Sequence, residues 1–426
     1  MAGMSLVTYP FHEATLDNGL RVVVSPDHNA PIVAVNLWYG VGSRHEQPGR
    51  TGFAHLFEHL MFQGSAGVAS GEHLGSIQAA GGSCNATTSM DRTNYFETVP
   101  VGAAELALWL EADRLATLPE ALDQTNLDTQ REVVKEEKRQ RYDNVPYGHT
   151  LRHLLELTFP ADHPYGHTTI GSMADLDAAT PDDVTAFFTR HYHPGNAVLS
   201  LVGDLTVEHA LDLANRHFAA IPDHPRSSDP DATPLPQLTD PEHREVTEDV
   251  PREAVYLCWR APHQDDPRFR ALELGTDILG SGQSARLARS LVREQDLADS
   301  AGISAWGLTG GTSLVFAYAQ ARDGVGTDEL RDALQHDVAA LADGPTESEY
   351  ARAAAQLERD WLSELASVDQ RADNFGEATT LLGGPGRVNT LLEEYAAITP
   401  AEIATAAHDW LRPENAATLT YRKQTR

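Results

Sequence analysis

The same order of strand-like and helix-like stretches occurs twice along this chain, and that repetition narrows its fold more than any other feature. In the first half "LRVVVS" (20–25) and "IVAVNLWY" (32–39) read as strands, rich in β-branched and aromatic residues around a polar turn. Helical stretches follow at "GRTGFAHLFEHLMF" and "GEHLGSIQAAG", and "SCNATTSMDRTNYFETVP" then alternates like a hairpin of exposed strands. Two longer helices, "GAAELALWLEADRLA" and "TNLDTQREVVKEEKRQRY", lead on to a strand at "NAVLSLVGDL" and an amphipathic helix at "TVEHALDLANRHFAAI". Residues 222–251 are dense in Pro, Asp and Ser without helical periodicity and read as a linker. After them come a strand ("EAVYLCWRAP"), two helices ("RFRALELGTDILG", "SARLARSLVREQDLA"), a strand ("SLVFAYAQA"), two more helices and a closing "AATLTYR". The expectation is an α+β fold of two structurally repeated domains, 1–221 and 252–426, joined by the linker.

The bulk properties fit that division. A chain of 426 residues is too long for one ordinary core, and a hydrophobic fraction of 41% suffices for two. Acidic residues outnumber basic ones 62 to 32, for a formal net charge of −30, and only Lys135, Lys138 and Lys423 are lysines. Such a surface repels phosphate backbones and anionic membranes, so neither nucleic acid nor a membrane is an expected partner. Cys84 and Cys258 lie far apart without metal or redox spacing, which suits free thiols in a reducing compartment. No signal peptide pattern and no spanning apolar run is visible, so the expected location is the cytoplasm.

Only the first half carries a metal-binding pattern, "HLFEH", which puts His55, Glu58 and His59 in the order H-x-x-E-H. Each helical residue advances by about 100°, so two histidines four apart share a face and can share one tetrahedral Zn²⁺. Glu58 flanks that face, placed to take a proton from water rather than to ligate. A catalytic zinc wants a third protein ligand, and the acidic helix "QREVVKEEKRQRY" offers Glu132, Glu136 and Glu137. Spacing alone does not choose between Glu136 and Glu137. The glycine clusters "GLTGGTS" and "LLGGPGR" lack a phosphate-loop ending and read as turns, and His153, His163 and His167 read as structural.

With its neighbours, the motif becomes specific. "LDNGLRVVVSPD", "PIVAVNLWYGVGSRHE", "GRTGFAHLFEHLMFQGS", "GGSCNATTSMDRTNYFETVP", "HTTIGSMADL" and "FFTRHYHPGNAVLSLVGDL" resemble, in order, segments of the M16 family of inverted-motif zinc peptidases, nearest to its short two-domain bacterial members. The resemblance implies two mostly antiparallel sheets covered by helices, one Zn²⁺ per chain held by His55, His59 and Glu137, and Glu58 as the general base. It also implies that Asn85 and Ala86 flank the scissile bond of a peptide added as a strand. The implied function is zinc-dependent endopeptidase action on peptides or short unfolded segments in an enclosed chamber.

Two departures from the family pattern stand out. A glutamate that precedes the third ligand by seven residues is Gln130 here, able to hydrogen-bond at the metal site but not to add charge. In the second half, active members carry an Arg/Tyr pair that helps to stabilise the oxyanion. Here "LVREQDLADSAG" keeps Arg293 but has Asp299 at the tyrosine position, so Arg293 lacks its family partner and reads as a helix-surface or ion-pair residue. The departure points to a heterodimer, in which a homologous sister chain supplies the Arg/Tyr function, or else to a homodimer. The alternative is a structural or interaction subunit that turns over no substrate.

Overall fold

The computed structural model describes residues 7–225 and 229–424. Two sheets organise the chain. The first contains β1 (His12–Thr15), β2 (Arg21–Pro26), β3 (Ile32–Tyr39), β4 (Ser83–Thr88), β5 (Thr93–Pro100) and β6 (Ala197–Gly203), in the spatial order β1-β2-β6-β3-β5-β4. The second contains β7 (His243–Glu248), β8 (Ala254–Ala261), β9 (Ala298–Trp306), β10 (Ser313–Ala321) and β11 (Ala417–Lys423), in the order β7-β11-β8-β10-β9. Setting β1 aside, the orders superimpose strand for strand. In each sheet one pair is parallel, β2 with β6 and β7 with β11, and the other pairs are antiparallel. The expected α+β repeat is thus present as topology with little shared sequence.

Packing divides the chain into two compact units that are not contiguous in sequence. The first takes the described parts of 1–138, 168–230 and 360–391; the second takes 139–167, 231–359 and 392–424. The contiguous boundaries at 221 and 252 therefore need correction at both ends. Helix Val368–Leu381, expected with the C-terminal half, covers one face of the first sheet through Ala372, Phe375 and Ala378 against Trp38, Val198 and Val202. Its close approach depends on Gly376, where an added Cβ would lie 2.3 Å from the Trp38 ring. Conversely, helix Thr150–Thr158 packs on β8 and β11 of the second unit. The stretch read as a linker ends in β7. The helix read over "SARLARSLVREQDLA" shrinks to a π-helical turn, Ala288–Glu294, because the chain must reverse into β9. Both glycine clusters join elements as turns or bends.

The other face of the first sheet positions the site. Here lie α1 (Phe53–Leu60), α2 (Glu72–Ala79) and α3 (Ala104–Ala121), followed in the chain by α4 (Gln124–Lys138). Four aromatic rings link α1 to the sheet: Phe57 lies 4.8 Å from Tyr192, which lies 4.6 Å from Tyr39, and Tyr39 packs edge-on to Tyr95. Phe57 and all three tyrosines are buried, so α1 is docked by a large apolar contact.

Candidate metal centre

The helix that carries the histidines is short and is started from outside. Gly52 at its N-cap adopts φ 92°, a left-handed conformation that favours glycine. The carboxylate of Glu46 accepts hydrogen bonds from the Gly52 and Ala54 amides at 2.8 and 2.7 Å, satisfying donors that a helix start leaves open. Phe53, Ala54, Leu56, Phe57 and Leu60 are buried, which turns His55, Glu58 and His59 toward the remaining face.

The partner for that face comes from α4. Leu127, Gln130 and Val134 are its buried residues, spaced three and four apart, and Glu137 continues the same stripe by three. Glu137 Oε2 consequently lies 3.3 Å from His59 Nε2 and 3.7 Å from His55 Nε2, and the two imidazoles stand edge to face at 4.8 Å. One donor atom from each of the three residues lies within 4.8 Å of the others. Glu136 is exposed on another side of the helix, so geometry separates the two adjacent glutamates where spacing did not. Gln130 makes no hydrogen bond to the three donors among the described residues; it is buried on the helix stripe, 8% exposed. Two imidazole nitrogens and one carboxylate oxygen, partly open to solvent, could hold a metal ion, and in kind and number they fit the donor set that a catalytic zinc takes.

Glu58 stands beside this set. Its Oε2 accepts a hydrogen bond from the hydroxyl of Thr88 at the end of β4. Burial raises the carboxyl above its ordinary value, while the Thr88 hydrogen bond and His59 pull it back. Thr88 is a residue that sequence reasoning missed, since threonine in an alternating strand carries no local signal of such a contact.

Asn85 and Ala86 lie on β4, the outermost strand of the sheet. The hairpin closes with the Ser89 amide donating to the Arg92 carbonyl at 2.8 Å. Antiparallel alternation then makes Thr87/Asn94 and Asn85/Phe96 the bonded pairs, and Cys84, Ala86 and Thr88 turn their N–H and C=O groups to the open edge. The Ala86 amide donates to the Asn85 side-chain oxygen at 2.9 Å.

A second cluster of metal-ligand residues, His73, Glu97 and Glu111, is fully buried beneath the hairpin. It does not fit a metal, because Arg114 already supplies the cation: its guanidinium bonds both oxygens of Glu111 and lies over the Tyr95 ring at 4.3 Å. Burial pushes the Glu111 carboxyl up to about 8, against the pull of Arg114, and drives His73 down to about 3.

In the second unit, Arg293 is exposed in the π-helical turn and makes no ion pair among the described residues. Asp299 is the second residue of β9, where Arg252 contacts its carboxylate at 2.8 Å and Arg322 at 3.5 Å. The position where a tyrosine was expected is therefore occupied by an ion-pair acceptor. His163 stacks on Phe159 at 4.7 Å, a packing role.

Comparison with known proteins agrees across nearly the whole length. The family model described as "Insulinase (Peptidase family M16)" matches residues 21–172, and that described as "Peptidase M16 inactive domain" matches 178–357. The chain is 30% identical over 390 residues to zinc protease PqqE of Helicobacter pylori, covering 88% of this chain and 85% of that protein. It is 27% identical over 398 residues to an uncharacterized zinc protease of Mycobacterium leprae, covering 93% and 88%. The crystal structure of a protease from Helicobacter pylori superimposes with a TM-score of 0.89 at 26% identity, covering 97% of this chain and all of that one.

Proposed function

The chain belongs to peptidase family M16, and from that membership we propose that it is a zinc-dependent endopeptidase acting on peptides or short unfolded segments. The observation that carries the reading is the convergence of His55, His59 and Glu137, with Glu58 alongside. His55, His59 and Glu137 would hold the zinc. When bound, the ion supplies Lewis acidity, which makes water a competent nucleophile near neutral pH. Glu58 takes the proton of the attacking water and returns it to the departing amine. Thr88 fixes Oε2 of Glu58 and leaves Oε1 for that transfer. The edge of β4 aligns the peptide as an added strand, the groups of Cys84, Ala86 and Thr88 pairing with its backbone and Asn85 and Ala86 flanking the scissile bond. The decisive experiment measures zinc content and peptide cleavage of the wild type and of Glu58→Gln. A zinc-loaded wild type that cleaves no peptide, alone or with its partner, defeats the reading.

The ion pairs of Asp299 favour a paired assembly. A carboxylate held by Arg252 and Arg322 offers no donor to an oxyanion, so a homologous subunit would supply that group. Full turnover by the purified chain alone, undiminished in Arg293→Ala, counts against this pairing. The same observation keeps a second reading in play, a structural subunit of such a complex. No helix among the described residues is long and apolar enough to cross a membrane. Two free cysteines, one half-buried and one buried, suit a cytoplasmic location.

A further inference from the structure

Behind the open strand, on the face of the sheet opposite α1, a single carboxylate ties two neighbouring strands together. Oδ1 of Asp373, on helix Val368–Leu381, accepts hydrogen bonds from Asn36 Nδ2 at 3.0 Å, Trp38 Nε1 at 3.1 Å and Asn94 Nδ2 at 2.7 Å. Asn36 and Trp38 belong to β3, and Asn94 to β5. Asn94 Nδ2 also donates to Asn36 Oδ1 at 3.1 Å, and Asn36 is itself held by Asp373; with its amide nitrogen committed on that side, Asn94 turns its carbonyl oxygen toward β4. There it accepts from the Thr87 hydroxyl at 2.5 Å and from Arg92 Nη1 at 3.1 Å. Arg92 also donates to the Thr87 carbonyl at 3.0 Å and lies 4.8 Å above the Trp38 ring. Thr87 is adjacent to Thr88, whose hydroxyl reaches Glu58 on the other face.

We propose that Asp373 is a positioning residue for the peptide-binding edge: acting through Asn94, it sets the β4–β5 hairpin and so the strand that aligns a peptide against Glu58. The inference rests on the peptidase reading for its purpose but not for its geometry.

An edge strand is paired on one side only, so its position depends on contacts from its faces. An asparagine amide has a donor end and an acceptor end, and an obligate acceptor at one end orients the whole group. Hydrogen bonds to a charged acceptor are stronger than neutral ones, and here three meet on one oxygen in a largely buried place. The helix reaches this depth because residue 376 is glycine against Trp38. Misplacing the strand by about an ångström is enough to cost roughly 100-fold in a reaction that depends on alignment.

The test compares zinc-loaded wild type, Asp373→Ala, Asp373→Asn and Gly376→Ala by amide hydrogen exchange. Each substitution is also made in a Glu58→Gln background, where binding of an extended, fluorescently labelled peptide is measured without turnover. In Asp373→Ala the inward amides of Asn85 and Thr87 should exchange at least about tenfold faster and peptide affinity should fall about 10- to 100-fold. Amides of α1 and zinc content should not change. Asp373→Asn keeps an oxygen where all three donors converge and should restore most of both properties. Gly376→Ala, which lifts the helix, should behave like Asp373→Ala. The proposal is overturned if Asp373→Ala merely lowers the melting temperature while β4 exchange and peptide affinity stay at wild-type values. It is equally overturned if Asp373→Asn is as damaged as Asp373→Ala. A wild type that binds zinc and the labelled peptide yet cleaves nothing defeats the peptidase reading alone, and the exchange and affinity data still judge Asp373.

Discussion

The hydroxyl of Thr88 donates to the Glu58 carboxylate, joining the outermost strand of the first sheet to the helix that bears the histidines. In the proposed peptidase, one strand end would thus serve both the peptide and the base. Thr88→Ala should lower kcat about 10- to 100-fold with zinc content unchanged, and Thr88→Ser should restore it. Steady-state kinetics together with metal analysis checks this; metal loss in Thr88→Ala would show that the contact holds the helix rather than the base.

Glu137 and Glu136 are adjacent and should behave as opposites. Glu137→Gln replaces the anionic member of three converging donors with a neutral, weakly ligating amide oxygen and should leave the chain without stoichiometric zinc after dialysis. Glu136→Gln, on an exposed face, should retain it. Metal content of the two variants after the same dialysis decides the assignment.

Glu58→Gln should keep zinc and fold while peptide cleavage drops about 10²- to 10⁴-fold, the usual worth of a positioned general base. Cleavage within a few-fold of wild type would move the proton transfer to another group.

The buried Glu111 and His73 should shape stability against pH from opposite sides. Folding raises the Glu111 carboxyl from its ordinary value of 4.5 to about 8, so between those values the native chain holds a proton that the unfolded chain has released. Its contribution is present below 4.5 and is lost as pH rises toward 8. Folding lowers His73 from 6.5 to about 3, so its contribution is present above 6.5 and is lost as pH falls toward 3. Between 4.5 and 6.5 the two slopes oppose each other. Urea midpoints at constant ionic strength should decline on both sides of that interval, and Glu111→Gln should flatten the alkaline limb.

Local patterns were legible and distant ones were not. The His55/Glu58/His59 face follows from helix period alone, and the strands 32–39 and 197–203 announce themselves by β-branched and aromatic content. Strand β9, "ADSAGISAW", is built mostly of alanine, serine and glycine, so its β character comes from pairing with β10 rather than from propensity. Spacing alone left Glu137 and Glu136 equivalent; the resemblance favoured Glu137, and the buried stripe Leu127, Gln130 and Val134 shows the physical reason, the side of α4 that faces inward. Asp373 was invisible for a different reason. Its three donors lie on strands 279 to 337 positions away in sequence, and no periodicity spans such a gap.

The discontinuous first unit has a consequence for how the chain is made. Residues 360–391 complete the packing on Trp38 and Val198, yet they leave the ribosome long after every strand of that sheet. During synthesis the sheet therefore waits with one apolar face uncovered, held in a nascent chain that is exposed to chaperones and to premature association. Termination before residue 360 should yield an N-terminal fragment that contains every proposed zinc ligand and still fails to stay in solution.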